Sequence, residues 1–145
     1  MARQYRLGAV RRLVNRVVAK RVAAGKGLGA DVRLLTTVGR RSGLDRTTPV
    51  TIVEVGGREW LVAPYGSVSW VHNIRANPRA TLTRGGTTSP FTAVEVSAEE
   101  AAPVLRHYVT RVKVVRPFFD ASHDGPVETF ASESDKPVFR IESSG

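Results

Sequence analysis

Beyond residue 30, apolar positions fall in short runs of four to nine residues separated by glycines, prolines and asparagines, the pattern of β-strands joined by tight turns. It predicts strands over 32–38, 47–55, 58–65, 79–84, 87–96 and 137–142. Gly56-Gly57 and Gly85-Gly86 are two-residue connections suited to primed hairpin turns. Val50, Ile52, Val53, Val55, Leu61, Val62 and Ala63 occupy positions of both parities, so the sheet is apolar on both faces and must be closed or covered. Ser69 is a plausible cap for a short helix over 70–76, stopped by Asn77-Pro78. The Ser97-x-x-Glu100 box starts a longer helix over 98–111. Residues 116–135 read as irregular. The expected fold is mainly β within the α+β class, a small barrel of about six mostly antiparallel strands with helical decoration.

The first thirty residues follow another period. Leu7, Val10, Val14, Val17 and Val18 recur at helical spacing, with Leu13 and Val22 widening the stripe, which predicts an amphipathic helix over 5–23. Gly25-Lys26-Gly27-Leu28-Gly29 then links it to the body. The division is a basic helix and linker over 1–29 and a barrel over 30–145.

Charge sharpens that division. The net charge is +9, yet the eight basic residues before Asp31 face no acidic one, while 14 basic and 13 acidic residues follow. The body is nearly neutral and the basicity belongs to the N-terminal segment. No apolar run is long enough to span a membrane, and arginines interrupt every candidate signal-peptide core. A helix docked on its own domain, one lying on an anionic membrane surface through residues 3–26, and a nucleic-acid arm all fit the charge. Docking with peripheral membrane attraction is favoured, because Tyr5 is the one aromatic residue there to stack on a base. Cysteine is absent, which removes disulfides and thiolate chemistry and fits a reducing, cytoplasmic setting.

The chemistry concentrates between Gly39 and Arg46. Gly39 and Gly43 let the backbone turn tightly, while Arg40, Arg41 and Arg46 place three guanidinium forks beside the hydroxyls of Ser42, Thr47 and Thr48. A phosphate or carboxylate suits such a loop, and a ligand-free basic hairpin is the alternative, since arginine is abundant throughout. His72, His107 and His123 lie singly, without metal-ligand spacing. No nucleophile elbow exists. Tyr65 and Trp70 are available for a flat ring, Trp70 equally as a core anchor, and Asn73 and Asn77 read as helix-end hydrogen-bonders.

Residues 34–43, Leu-Leu-Thr-Thr-Val-Gly-Arg-Arg-Ser-Gly, followed by Arg46-Thr47-Thr48-Pro49-Val50, Leu61-Val62-Ala63, Tyr65-Gly66 and Trp70-Val71-His72-Asn73-Ile74-Arg75-Ala76-Asn77-Pro78, resemble the deazaflavin-dependent nitroreductase family, whose members use coenzyme F420. The resemblance spans about residues 30–142. It implies a split β-barrel of the flavin-reductase type and hydride transfer from the reduced cofactor to an electron-poor acceptor of quinone or nitro type. Carried over by position, Arg40, Arg41, Ser42 and Arg46 would grip the coenzyme's phosphate and glutamate tail. Thr47, Thr48, Pro49, Val50 and Thr51, with Val62, Ala63, Pro64 and Tyr65, would run along it, and Ser69, Trp70, Val71, His72 and Asn73 would close the other side.

Where relatives carry several tyrosines after the long helix, this chain has Arg116-Pro117-Phe118-Phe119-Asp120. Tyr65, Phe118 and Phe119 are therefore the expected acceptor pocket, with an apolar acceptor. The alternatives are an FMN-binding barrel and a non-catalytic carrier of an apolar ligand at the inner membrane face. The expected partners are a small-molecule acceptor and no nucleic acid, and the expected assembly is a monomer or homodimer.

Overall fold

In a computed structural model that describes residues 31–143, six antiparallel strands close into a barrel. They are β1 (Val32–Val38), β2 (Asp45–Val55), β3 (Arg58–Val62), β4 (Arg79–Arg84), β5 (Thr87–Glu95) and β6 (Val138–Ser143), and they run around the barrel in the order β1-β2-β3-β6-β5-β4. The expected strands are all present, within a few residues of their predicted ends. The amphipathic helix expected over 5–23, its linker, and with them the membrane contact, lie outside the described residues. No described helix is long and apolar enough to cross a membrane.

The two Gly-Gly connections turn as their sequence requires. Gly56 and Gly57 have φ of 63° and 75°, and Gly85 and Gly86 have 57° and 81°, the positive values at both central positions that define a primed turn. Between the strands are helices α1 (Ser69–Ala76) and α2 (Ala98–Arg111), and 3-10 segments Lys113–Phe118 and Val127–Ser132 give the stretch expected to be irregular some order. The Ser97 hydroxyl accepts the Glu100 N–H at 3.3 Å. The Glu100 carboxylate, however, reaches Arg140 at 3.3 Å instead of closing the capping box.

Apolarity on both faces of the strands has two destinations. Leu35, Val50, Ile52, Leu61, Ala80, Leu82, Phe91 and Phe139 fill the barrel, with Val71 and Ile74 of α1 packed among them. Val53, Trp60, Val62 and Val138 face outward, under Ala101, Val104, Leu105, Tyr108 and Val109 of α2 and under Phe130.

One strand has an edge without a partner. β2 pairs with β1 from Val38↔Asp45 to Val32↔Thr51, and with β3 only from Ile52↔Leu61 to Val55↔Arg58. The segment Asp45 to Thr51 therefore has no strand on its β3 side among the described residues, and the barrel is split there. The Ile52 N–H donates to Asp31 on the β1 side. By alternation the backbone polar groups of residues 47, 49 and 51 point to the open edge. Pro49, which lacks an N–H, thus sits in a strand without costing a ladder hydrogen bond.

Candidate functional site

The β1–β2 loop is built to hold its own shape. The Gly39 N–H donates to the Leu44 carbonyl at 2.8 Å, the Gly43 N–H to the Gly39 carbonyl at 2.9 Å, and the Leu44 N–H to the Ser42 hydroxyl at 3.1 Å. Gly43 turns at φ 72°. Gly39 is required for room: a Cβ there would lie 2.8 Å from Ser42 Oγ and 2.9 Å from the Leu44 carbonyl. Gly39→Ala is expected to force the loop apart and cost about 1 to 3 kcal/mol of stability, measured by thermal unfolding, with weaker anion binding.

The loop is fastened to α1 through Asn73, which is 2% exposed. Its Oδ1 accepts the Arg40 backbone N–H at 3.1 Å and Arg40 Nη1 at 2.9 Å, while its Nδ2 donates to Thr37 Oγ1 at 3.2 Å. Arg40 Nη1 also reaches the Ser69 carbonyl and hydroxyl, both at 3.3 Å. Asn73 is thus a buried clamp in mid-helix, not the helix-end hydrogen-bonder its sequence suggested. Ser69 is likewise not the cap: Val68 is, and Ser69 is the first helical residue.

This arrangement encloses a cleft of about 210 Å³ lined by Gly39, Arg40, Arg41, Ser42, Arg46, Ser69 and Asn73. Six residues expected to hold an anion, or to close around it, meet here from three elements. Arg41 and Arg46 have no hydrogen bond or ion pair among the described residues, whereas Arg33, Arg75, Arg84 and Arg140 each engage a carboxylate. Two exposed guanidiniums without a carboxylate partner, beside a rigid turn, have the chemistry to take an anion.

From Arg46 the open edge of β2 runs to Thr51, about 17 Å at the rise of an extended strand. Val50 is 8% exposed within the barrel, Val62 and Ala63 are each 1% exposed, and Val71 is fully buried. The side chains of Val62, Ala63 and Val71 are therefore buried, Val62 in the outer core and Ala63 and Val71 in the barrel. Trp70 packs on the barrel core with its ring 5.9 Å from Phe139, the anchoring role. His72 is exposed on α1 and does not line the cleft.

At the far end, Tyr65 and Phe118 meet edge to face with ring centroids 5.1 Å apart. Phe119 does not join them. It is 7% exposed in the outer core, with the Lys136 ammonium 5.0 Å over its ring. Phe118 ends the 3-10 segment and Phe119 follows it in extended conformation, at φ −114° and ψ 139°, where its side chain enters the core.

Sequence reasoning missed Tyr108. On α2, 3% exposed and flanked by core residues, it reads as packing, yet its hydroxyl is hydrogen-bonded to Thr51 and neighbours Tyr65. Thr51 and Tyr108 thus join Tyr65 at this end of the strand. Burial above all, then the proximity of Tyr65, raises the Tyr108 phenol above the ordinary tyrosine range, offset in part by the Thr51 bond. A raised folded-state value stabilises the protein below the unfolded pKa of about 10 and loses that stabilisation as pH rises beyond it. Tyr108→Phe is expected to flatten the decline in stability above pH ~10, measured by urea unfolding across the alkaline range.

A family model described as F420H(2)-dependent quinone reductase matches residues 9–118. A solved structure described as a domain-swapped dimer is 27% identical, covering 92% of this chain and 96% of its own, with a TM-score of 0.56. An F420-H2 dependent reductase, FDR-A, is 29% identical over 77% of this chain and 94% of its own, at a TM-score of 0.49. The heme storage protein HutZ of Vibrio cholerae shares the fold alone, with 13% identity over 80% and 83% of the two chains and a TM-score of 0.55.

Proposed function

The chain belongs to the F420H(2)-dependent quinone reductase family, and from that premise we propose that it reduces an apolar quinone-type acceptor in the Tyr65–Phe118 pocket, with F420H2 laid along the open edge of β2. The protein is an F420-dependent reductase with a split-barrel fold. The observation that supports the placement is the pair of exposed guanidiniums, Arg41 and Arg46, without a carboxylate among the described residues, at one end of a strand edge that no described strand covers. A cofactor with a phosphate and carboxylates at one end and a flat ring at the other fits a groove with cations at one end and aromatic rings and hydroxyls at the other.

Bound F420H2 supplies the hydride. The protein's part is binding, orientation and exclusion of water. Arg41, Arg46 and the Ser42 hydroxyl hold the tail, with Arg40 fixed by Asn73 as the cleft's rigid wall. Along Thr47 to Thr51, the backbone groups of Thr47, Pro49 and Thr51 offer the edge along which the coenzyme would lie; Pro64 is buried. Tyr65, hydrogen-bonding by its hydroxyl, and the apolar ring of Phe118 face the acceptor. The Thr51–Tyr108 bond fixes the wall behind them. Phe118 in place of a hydroxyl favours an apolar quinone over a small nitro compound.

Eight basic residues before Asp31 support a further element of this reading, peripheral attraction to anionic membrane, where lipid-soluble quinones reside. Purified protein with F420H2 and menadione should restore the fluorescence of oxidised F420 with saturation in menadione. Binding of F420H2 without turnover of menadione or a prenylated naphthoquinone would overturn the assigned acceptor.

A further inference from the structure

Behind the acceptor end lies an ion pair with no part in holding the cofactor. Glu133 and Lys136 are 2% and 6% exposed, and Lys136 Nζ donates to Glu133 Oε1 at 3.1 Å. Burying both charges is costly and gives little net stability over apolar packing of the same volume. What the pair does provide is fixed geometry. Glu133 Oε2 accepts the backbone N–H groups of Asp120 and Ala121, each at 2.8 Å. Lys136 Nζ lies over the Phe119 ring and also donates to the Asp135 carboxylate at 3.1 and 3.2 Å. Together these contacts pin the chain immediately after Phe118.

The same short segment also supports the opposite wall. The Pro137 carbonyl accepts the Ala63 N–H at 2.9 Å. A Cβ on Gly66 would lie 3.4 Å from the Asp135 carbonyl, so the turn carrying Tyr65 rests against residue 135. Residues 133–137 therefore touch both sides of the pocket, the Tyr65 side through Ala63 and Gly66 and the Phe118 side through Phe119, Asp120 and Ala121.

We infer that Glu133 and Lys136 are positioning residues that set the spacing of Tyr65 and Phe118 and thereby the fit of the acceptor. The inference rests on the reading of that pocket as the acceptor site. The anchoring atom is the Glu133 oxygen that receives two amide protons. Any side chain of similar length that keeps an acceptor oxygen there preserves the pocket, and one that lacks it releases residues 118–121.

Two double variants separate this role from general stability. Glu133→Leu/Lys136→Met removes both charges and the acceptor oxygen at nearly constant volume, whereas Glu133→Gln/Lys136→Met removes the charges and keeps an oxygen for the two amides. The first is expected to raise KM for menadione about tenfold, with kcat at saturation within threefold of wild type and F420H2 affinity within twofold. The second is expected to return KM to within twofold of wild type. Equal KM in the two variants, or F420H2 affinity falling in step with KM, would overturn the assignment. Amide hydrogen exchange of the wild-type protein reads the anchor without relying on either variant. Strong protection of Asp120 and Ala121 supports it, and exchange at the rate of exposed loops overturns it. Wild-type protein that binds F420H2 but turns over no quinone overturns the acceptor reading along with this inference; wild-type turnover with unchanged KM in both variants overturns this inference alone.

Discussion

Replacing Arg41 and Arg46 together with alanine is expected to weaken F420 binding by about 30- to 100-fold while leaving the unfolding temperature nearly unchanged. Both side chains are exposed and, unlike Arg33, Arg75, Arg84 and Arg140, have no carboxylate partner among the described residues. Their removal strands no buried charge, and their value is realised when an anion arrives. A charge-assisted contact between guanidinium and phosphate typically adds about a tenfold gain in affinity, reduced here by solvent screening. The effect should shrink as salt is raised, because the site is open to water. Fluorescence titration of F420 at two salt concentrations measures both quantities.

Asn73→Ala carries the second large effect, and here stability and binding fall together. The amide is 2% exposed and satisfies three groups: the Arg40 N–H, the Arg40 guanidinium and the Thr37 hydroxyl, itself 1% exposed. Truncation leaves a small cavity and unpartnered polar groups, at a cost of about 2 to 4 kcal/mol. It also frees Arg40 and the loop start from α1, so F420 affinity is expected to drop about tenfold. Chemical unfolding and the same titration check the two parts. A variant as stable as wild type would mean that the clamp is not formed.

The barrel was legible because its signals are local. Two Gly-Gly pairs demand primed turns, and apolar residues at both parities of β2 and β3 demand cover on both faces, which α2 and α1 provide. The arginine-rich turn was legible too, since Gly39, Gly43 and the arginines stand within eight residues. What escaped depends on long-range register. The open edge of β2 arises because its partners change at Ile52, and no local pattern records that. Tyr108 sits at core spacing on its helix, and its hydroxyl partner, Thr51, lies 57 positions earlier in the chain. Asn73 was misread for the same reason, because Arg40 and Thr37 come from another hairpin. Phe119 was assigned to the pocket from its position after the long helix, and the extended backbone that follows the 3-10 segment leaves it in the core.

The central claim is that the loop from Gly39 to Arg46 recognises the anionic tail of the coenzyme. It is tested most directly by titrating the wild-type protein with F420 and with the deazaflavin core that lacks the phosphate and glutamates, at low and high salt. A preference for F420 of about 30- to 100-fold at low salt, narrowing at high salt, is the predicted result. Equal affinity for the two ligands at low salt would contradict the account.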